Sequence, residues 1–210
     1  MFLCSPGNPT CARLKTEDIV SVLESDYAGF VVLDEAYIDF AGKSASLSQM
    51  VQKYPQLIVL QTMSKAFGLA GIRCGFAISN ADTIAVMSKV KAPYNVNKLT
   101  SKVALSAYSH LDVFNDHMQK VLSERDRLSK ALRGMTDIVK EVKATETNFI
   151  MFRIDNAQKV YKTMADSGVV VRYRGNCLNC DGCLRVTVGK PEENDKFLAM
   201  LRATCAKIAG

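Results

Sequence analysis

The chain has 210 residues, of which 48% are hydrophobic and 23% are charged, and its formal net charge is +6. This length is enough to bury a core in one domain or in two small ones. The basic residues are scattered and no apolar stretch reaches the roughly 18 residues of a membrane span, which argues against nucleic acid and membrane as partners. The seven cysteines have no framework spacing and no secretory signal is visible, so we expect reduced thiols and a cytoplasmic protein.

The first half of the chain alternates short apolar strands with helical patterns. Helices are predicted at residues 15–25 and 47–53, and strands at residues 1–4, 30–33, 57–61 and 75–78. Because these strands are continuous apolar runs, they are typical of strands that are buried on both faces. The pattern therefore predicts an α/β fold with a mostly parallel sheet.

The second half begins with helices and continues as a small α+β unit. Residues 81–134 have helical periodicity with a break near Pro93, and the last and longest helix runs through residues 121–132. The remainder predicts strands at 138–142, 148–154, 169–173 and 184–188, a helix at 157–167 and a final helix that starts near Pro191. We predict two domains, residues 1–110 and residues 111–210, the second beginning with the long helix as a link.

The most informative segment is residues 62–75, TMSKAFGLAGIRCG, in which Lys65 follows an apolar strand and Arg73 comes eight positions later. A lysine held at a strand end can be desolvated, which frees its amine as a nucleophile for a carbonyl group. Two hydroxyl donors, Thr62 and Ser64, and the planar cation of Arg73 suit a phosphate group. An amine beside such a phosphate site suggests pyridoxal phosphate held as a lysine Schiff base, although a lysine taken alone is more often a solvated surface residue.

Two further strand ends carry candidate ligands of the same cofactor. Asp34 ends the strand at residues 30–33 in the string DEAY, at the edge of the sheet where α/β proteins bind ligands. A carboxylate there can pair with a pyridinium nitrogen and keep it protonated, and Tyr37 can hydrogen-bond the phenolic oxygen of the ring. An aspartate at a strand end is also a common helix cap or surface ion-pair partner. The turn SPGNPT at residues 5–10 follows the first strand.

Two arginines of the second half are candidate ligands of an anionic substrate. Arg172 and Arg185 each lie in a short apolar strand, in the strings VVVR and CLRVTVG. An arginine in such a strand is costly unless an anion meets its guanidinium. The alternative is an edge-strand arginine whose charged end reaches water.

Together these segments resemble the fold-type I aminotransferases, and in particular the histidinol-phosphate aminotransferase family. The resemblance rests on residues 62–75, on DEAY, on GCLRVTVG at residues 182–189, and on SPGNPT, where the family has SPxNPTG; Cys11 replaces the usual glycine. It implies that Lys65 binds the cofactor covalently and is the catalytic residue. It also implies that the cofactor ligands are Asn8, Asp34, Tyr37, Thr62, Ser64, Lys65 and Arg73, and that Arg185 binds the substrate carboxylate and Arg172 the substrate phosphate.

The resemblance implies transamination of histidinol phosphate with 2-oxoglutarate, a step of histidine biosynthesis, by a cytoplasmic homodimer that uses pyridoxal phosphate. It covers only the C-terminal two-thirds or less of the family. The expected fold is therefore an incomplete cofactor-binding large domain at residues 1–110, followed by the linking helix and a small C-terminal domain. The alternatives are a catalytically incomplete aminotransferase fragment and a threonine-phosphate decarboxylase. Ala66 and Phe67 after the lysine, with the intact GCLRVTVG, disfavour the decarboxylase.

One cysteine-rich segment is not explained by the resemblance. Cys177, Cys180 and Cys183 form a C-x2-C-x2-C run, which resembles part of an iron–sulfur or zinc site. No fourth cysteine follows nearby, His110 and His117 are distant in sequence, and Cys183 belongs to the string GCLR. We therefore predict no metal site, and we expect Cys177 and Cys180 on a loop between two strands.

Overall fold

The computed structural model describes residues 1–42 and 44–209 of the chain. Two compact units are present. The first unit comprises Met1–Asn8 and Ala12–Met118, and the second unit comprises Pro9–Cys11 and the chain from Gln119 onward. The sequence predicts a domain boundary between residues 110 and 111, and that boundary remains a prediction.

The first unit is built on a four-stranded sheet of β1 (Phe2–Cys4), β2 (Val31–Asp34), β3 (Leu57–Thr62) and β4 (Gly75–Ile78), in that spatial order. β1, β2 and β3 are parallel, as the unbroken apolar runs predict, and β4 is antiparallel to β3. β1 and β2 are connected through helix α1 (Thr16–Leu23), whose Ile19 and Leu23 pack on the apolar side chains of β2 and β3. Parallel strands require such a crossover connection, whereas β3 and β4 need only a hairpin loop.

The connection between β2 and β3 contains two short 3-10 helices, Ile38–Ala41 and Ser48–Gln52. The second of them occupies the position of the helix predicted at residues 47–53. Its hydrogen bonds join residues three apart, from the Met50 N–H to the Leu47 carbonyl at 2.9 Å and from the Lys53 N–H to the Met50 carbonyl at 3.0 Å. An apolar pattern alone does not distinguish this tighter helix from an α-helix over so few residues.

Three α-helices follow the first sheet: α2 (Ala81–Val90), α3 (Lys98–Tyr108) and α4 (Leu111–Arg133). The predicted break near Pro93 lies between α2 and α3. Asparagine side chains cap α2 and α3. The Asn80 side chain accepts the Thr83 N–H, and the Asn97 side chain accepts the Thr100 N–H, each at 2.9 Å. Among the described residues no helix has both the length and the apolar character needed to cross a membrane.

The second unit contains the last part of α4, an antiparallel sheet in the order β5-β6-β8-β7, and the helices α5 and α6. Its elements are β5 (Val139–Val142), β6 (Phe149–Ile154), α5 (Ala157–Asp166), β7 (Arg172–Tyr173), β8 (Cys183–Thr187) and α6 (Pro191–Ala209). One face of the sheet, with Ile150, Phe152 and Leu184, packs into a core that includes Phe197 and Leu201 of α6.

β7 is shorter than the strand predicted at residues 169–173, because Val169 takes part in the end of α5. The Val169 N–H donates to the Met164 carbonyl at 2.9 Å, and the Gly168 N–H donates to the Ala165 carbonyl at 3.0 Å. Gly168 has a φ of +79°. This pair of bonds with a left-handed glycine is the Schellman arrangement that ends many helices. Only Arg172 and Tyr173 remain to pair with β8.

Candidate active site

The candidate residues of the first unit lie at one edge of its sheet. Asp34 is the last residue of β2, and Thr62 is the last residue of β3. Because β4 runs antiparallel to β3 and Gly75 pairs with Thr62, the amino end of β4 lies at the same edge as the carboxyl ends of the other strands. We call this side the carboxyl edge. It receives the segments that contain Asn8, Asp34, Tyr37, Thr62, Ser64, Lys65 and Arg73.

The turn that carries Asn8 is hydrogen-bonded to β2. The Ser5 N–H donates to the Asp34 carbonyl at 2.9 Å, so the segment after β1 continues along the end of β2. The buried Ser5 hydroxyl accepts the Leu14 N–H at 3.0 Å, and the Gly7 N–H donates to the Ala12 carbonyl at 3.0 Å. These bonds close the turn on both sides of Asn8, which is itself exposed.

Asp34 and Tyr37 occupy the start of the connection after β2. One carboxylate oxygen of the half-buried Asp34 accepts the Ala36 N–H at 2.9 Å, which is the Asx-type contact that turns the chain away from the strand. Tyr37 lies at the next turn, and its ring centroid is 5.5 Å from the Lys65 Nζ. The structure therefore brings the phenol ring and the lysine amine close together.

Lys65 begins a tight turn directly after β3. The Gly68 N–H donates to the Lys65 carbonyl, and the Leu69 N–H donates to the Met63 carbonyl, each at 3.0 Å. The ring of Phe67 stacks on that of Phe114 at 4.3 Å between centroids, which anchors the turn. Lys65 is exposed in this structure, so its amine does not show the desolvation that a strand-end position permits.

Thr62 and Arg73 stand at the two ends of the loop between β3 and β4. The Thr62 hydroxyl donates to the Cys74 carbonyl at 3.2 Å and accepts the Ser64 N–H at 3.1 Å, so it joins the two sides of this loop. Arg73 has a left-handed backbone with a φ of +54° and donates from its guanidinium to the Ala70 carbonyl at 3.2 Å. Its side chain is exposed, which leaves a positive charge beside the lysine turn.

One buried carboxylate near these residues has no counterpart in the sequence analysis. Glu35 is 1% exposed, and it accepts hydrogen bonds from the Ser46 hydroxyl at 2.7 Å, the Leu47 N–H at 2.7 Å and the Gln61 amide at 2.8 Å. These three bonds join the connection after β2 to β3, one residue before Thr62. The only signal in the sequence is its place in DEAY, where a second acidic residue directly follows a strand.

The two candidate arginines of the second unit are direct neighbours. Arg172 of β7 pairs with Arg185 of β8 in the antiparallel register, and side chains of paired residues project from the same face of a sheet. Arg172 is exposed, and the Arg185 guanidinium lies 4.6 Å from the centroid of the Phe149 ring. Like charges directly opposite each other in a sheet are destabilising.

Cys11, which replaces a glycine of the family turn, belongs to the second unit. Its φ is +70°, a region that glycine adopts without strain and that explains the usual residue at this position. Cys11 is fully buried; its thiol donates to the Pro9 carbonyl at 3.3 Å, and its carbonyl accepts the Glu146 N–H at 2.9 Å. Burial raises the pKa of the Cys11 thiol to about 11. The substitution therefore preserves the backbone conformation of the turn.

The cysteine-rich segment lies on the loop between β7 and β8, as predicted for Cys177 and Cys180, and Cys183 is the first residue of β8. Within residues 1–42 and 44–209, no group of three or more cysteine, histidine or acidic side chains is arranged to hold a metal ion. All seven cysteines are free thiols.

Comparison with known proteins identifies the family of this chain. Residues 1–201 match the family described as aminotransferase class I and II. The chain is 44% identical over 218 residues to the histidinol-phosphate aminotransferase of Saccharomyces cerevisiae, covering 100% of this chain and 56% of that protein. It is 41% identical over 202 residues to the histidinol-phosphate aminotransferase of Flavobacterium johnsoniae, covering 96% and 57% of the two chains.

A solved structure agrees with this match. The histidinol-phosphate aminotransferase from Clostridium acetobutylicum superimposes with a TM-score of 0.89 at 25% sequence identity, over 96% of this chain and 62% of that one. The chain thus has the fold of these enzymes and spans 56% and 57% of the length of the two curated relatives. The family match extends over both units, and the chain belongs to the aminotransferase class I and II family.

Proposed function

We propose that this chain acts in the pyridoxal-phosphate-dependent transfer of an amino group between histidinol phosphate and 2-oxoglutarate, in the cytoplasm and as a homodimer. The observation that carries the proposal is the loop between β3 and β4. It presents an amine at Lys65 and a guanidinium at Arg73 on the same edge of the sheet as the Asp34 carboxylate and the Tyr37 phenol. The two curated relatives described above are histidinol-phosphate aminotransferases, which favours this reaction over a decarboxylation.

The donor set at the carboxyl edge fits pyridoxal phosphate. A carboxylate offers about four lone-pair positions, so the single bond from Ala36 leaves Asp34 with capacity to accept from a ring nitrogen. The exposed guanidinium of Arg73 provides the positive charge that a phosphate requires. The amine of Lys65 faces open solvent at the same edge, where an aldehyde can reach it.

When bound, pyridoxal phosphate supplies an aldehyde that condenses with amines and a ring that withdraws electrons from the attached carbon. Lys65 is the residue that would hold this aldehyde covalently. Its amine, when free, would serve as the base that takes the proton from the substrate Cα. Tyr37, whose ring lies 5.5 Å from the Lys65 Nζ, contributes a hydrogen bond to the ring oxygen together with Asn8.

Asp34 holds a proton at the pyridine nitrogen, because its negative charge favours the protonated ring. Ser64 and Arg73 bind the cofactor phosphate. Thr62 is also a phosphate ligand in this proposal, and its hydroxyl hydrogen must then turn away from the Cys74 carbonyl. That rotation keeps the contact with the Ser64 N–H, because the hydroxyl oxygen accepts that bond.

Arg172 and Arg185 orient the substrate. Arg185 binds the carboxylate of amino-acid substrates such as glutamate, and Arg172 binds the phosphate of histidinol phosphate. Their positions directly opposite each other on β7 and β8 support two anionic contacts a short distance apart. Stacking on Phe149 restricts the Arg185 guanidinium, so less conformational entropy is lost when an anion binds.

Labelling of the lysine tests the proposal. The purified chain is incubated with pyridoxal phosphate, reduced with borohydride so that the cofactor stays on the lysine that bound it, and mapped by peptide mass spectrometry. The label should be on Lys65 and should disappear in Lys65→Ala, while Lys91→Ala, which removes another exposed lysine of the first unit, should keep it. A label on a different lysine would overturn the assignment. Labelling of Lys65 without transamination would support the alternative of a catalytically incomplete fragment.

A further inference from the structure

The C-x2-C-x2-C run forms a series of hydrogen-bonded turns. The Cys177 N–H donates to the Arg174 carbonyl at 2.9 Å, the Cys180 N–H to the Cys177 carbonyl at 3.1 Å, and the Cys183 N–H to the Cys180 carbonyl at 2.9 Å. Asn179 and Gly182, the third residues of the last two turns, have φ values of +58° and +68°. Each cysteine therefore occupies the first or the last position of a β-turn.

This turn geometry sets the separation of neighbouring cysteines. The first and fourth Cα atoms of a β-turn lie within about 7 Å of each other. A disulfide bridges Cα atoms that are about 4.4–6.8 Å apart. The hydrogen-bonded turns thus hold the Cα atoms of Cys177 and Cys180, and those of Cys180 and Cys183, near the range of separations that a disulfide bridges.

Exposure distinguishes the two pairs. Cys177 is partly exposed, whereas Cys180 is 3% and Cys183 is 1% exposed. The Cys183 thiol lies in the strand β8 and contacts the Asp181 carbonyl at 3.8 Å. Burial also raises the pKa of the Cys183 thiol, so less of it is present as the reactive thiolate. A reagent from solvent therefore reaches Cys177 first, and Cys180 is the neighbouring thiol that can react next.

We propose that Cys177 and Cys180 form a reversible disulfide by exchange with a small-molecule disulfide of the glutathione type. The Cys177 thiolate, having lost its proton to solvent, attacks one sulfur of glutathione disulfide. Its S–S bond breaks, a mixed disulfide forms and one glutathione thiolate leaves. The Cys180 thiolate then attacks the sulfur of Cys177 and releases the second glutathione. In total, two protein thiols are oxidised by two electrons and one glutathione disulfide is reduced to two thiols.

The bridge would act on the segment that connects β7 to β8. The Arg174 N–H donates to the Cys183 carbonyl at 2.9 Å, which is the last contact of the strand pair before the loop. The disulfide lies wholly within this loop, so it fixes the 177–180 turn and leaves the pairing of Arg172 with Arg185 intact. The oxidised loop should consequently be more resistant to proteolysis at the exposed Leu178 than the reduced loop.

Peptide mapping tests the proposal on the full chain. The protein is equilibrated with reduced and oxidised glutathione in varied ratios, quenched with acid, alkylated in denaturant and digested with trypsin. Cleavage after Arg174 and Arg185 places all three cysteines in one peptide. In oxidising mixtures this peptide should lose two hydrogens and carry one alkyl group, located on Cys183, and dithiothreitol should restore three alkyl groups.

Four variants test which two cysteines form the disulfide. Cys177→Ser and Cys180→Ser should each abolish the bridge, and Cys180→Ser should instead keep a glutathione adduct on Cys177 because no second thiol displaces it. Cys183→Ser and Cys205→Ser should retain the bridge. Circular dichroism checks that each variant is folded. Any of three results would overturn the proposal. The first is an alkyl group on Cys177 with a bridge between Cys180 and Cys183, and the second is three alkyl groups in every mixture. The third is a stable glutathione adduct on Cys177 of the unaltered chain.

Discussion

Arg172 lies directly opposite Arg185 in the antiparallel register of β7 and β8. Paired residues in such sheets have Cβ atoms about 4.5–5.5 Å apart, so the backbone places the two arginine side chains next to each other at their bases. The two side chains differ in surroundings, because Arg172 is exposed and Arg185 is partly buried beside Phe149.

The first prediction separates the roles of these arginines. Arg185→Ala should weaken binding of every amino-acid substrate, including glutamate, whereas Arg172→Ala should weaken binding of histidinol phosphate selectively. Loss of a hydrogen bond to a charged group costs roughly 1.5–3 kcal/mol. Isothermal titration calorimetry with glutamate and with histidinol phosphate measures both effects, and Arg202→Ala, an exposed position on α6, is the control. Equal losses for both ligands in both variants would contradict separate phosphate and carboxylate contacts.

The second prediction concerns the close approach of β3 and β4. A Cβ atom added at Gly75 would lie 2.9 Å from the Gln61 carbonyl oxygen, a backbone atom that cannot move without disturbing the strand pair. Gly75→Ala should therefore lower the free energy of unfolding by about 1–3 kcal/mol, the usual cost of overpacking. Gly71→Ala is the matched control, because nothing lies within 4 Å of its Cβ position. Urea denaturation of both variants makes the comparison, and equal stability would show that the sheet adjusts.

The third prediction tests the buried carboxylate of Glu35. Glu35→Ala removes the acceptor of three hydrogen bonds, from Ser46, Leu47 and Gln61. Each buried donor left without a partner costs about 1–3 kcal/mol, so the loss in the free energy of unfolding should far exceed that of Glu17→Ala on the exposed side of α1. Glu35→Gln should fall between the two, because its amide keeps one acceptor oxygen. A loss no larger than that of Glu17→Ala would mean that water replaces the carboxylate.

The fourth prediction follows from the raised pKa of Cys11. The pKa of this thiol is 9.0 in the unfolded chain and about 11 in the folded chain. Between pH 9 and pH 11 the unfolded state therefore loses this proton while the folded state keeps it. The contribution of the thiol to stability is complete below pH 9 and decreases as the pH rises towards 11, by about 1.4 kcal/mol for each unit of pKa difference.

Urea denaturation between pH 8 and pH 11 measures this contribution. Cys11→Ala should be less stable at pH 8 because it loses buried contacts, and its stability should decline less steeply above pH 9 than that of the unaltered chain. Cys177→Ala, at a partly exposed position, should keep the original slope. Parallel curves for the unaltered chain and Cys11→Ala would exclude this pKa shift as the cause of the decline.

Much of the fold could be predicted because the strands of the first unit are short unbroken apolar runs, and the helices have clear breaks. The errors have local causes. The strand predicted at residues 169–173 was too long, and its first residue, Val169, has its backbone N–H used to end α5, a bond that depends on Gly168 adopting a left-handed conformation. The helix predicted at residues 47–53 has the hydrogen bonds of a 3-10 helix, which the hydrophobic pattern does not determine.

The sequence could predict that the candidate residues share one edge of the sheet, but it could not predict their surroundings. Short sequence motifs identified Asp34, Tyr37 and Lys65 as candidates. The sheet topology explains why these residues lie at one edge. Lys65 is exposed, and a residue pattern does not determine the exposure of a side chain in a turn. The sequence does not predict the role of Glu35, because two of its hydrogen-bond donors are 11 and 26 positions away and approach it only after folding.

The hairpin between β3 and β4 determines how the distance between the Lys65 amine and the Arg73 guanidinium can vary. The pairing of Thr62 with Gly75 fixes both ends of the loop that contains Lys65 and Arg73. Because both residues lie on this one loop, the separation of the amine and the guanidinium is set locally rather than by distant parts of the chain. An insertion within residues 63–74 would change their separation and leave the strands in register, whereas an insertion in residues 35–56 would leave their separation unchanged. The distance between amine and cation is thus a property of one short loop, which can lengthen or shorten independently of the sheet that carries it.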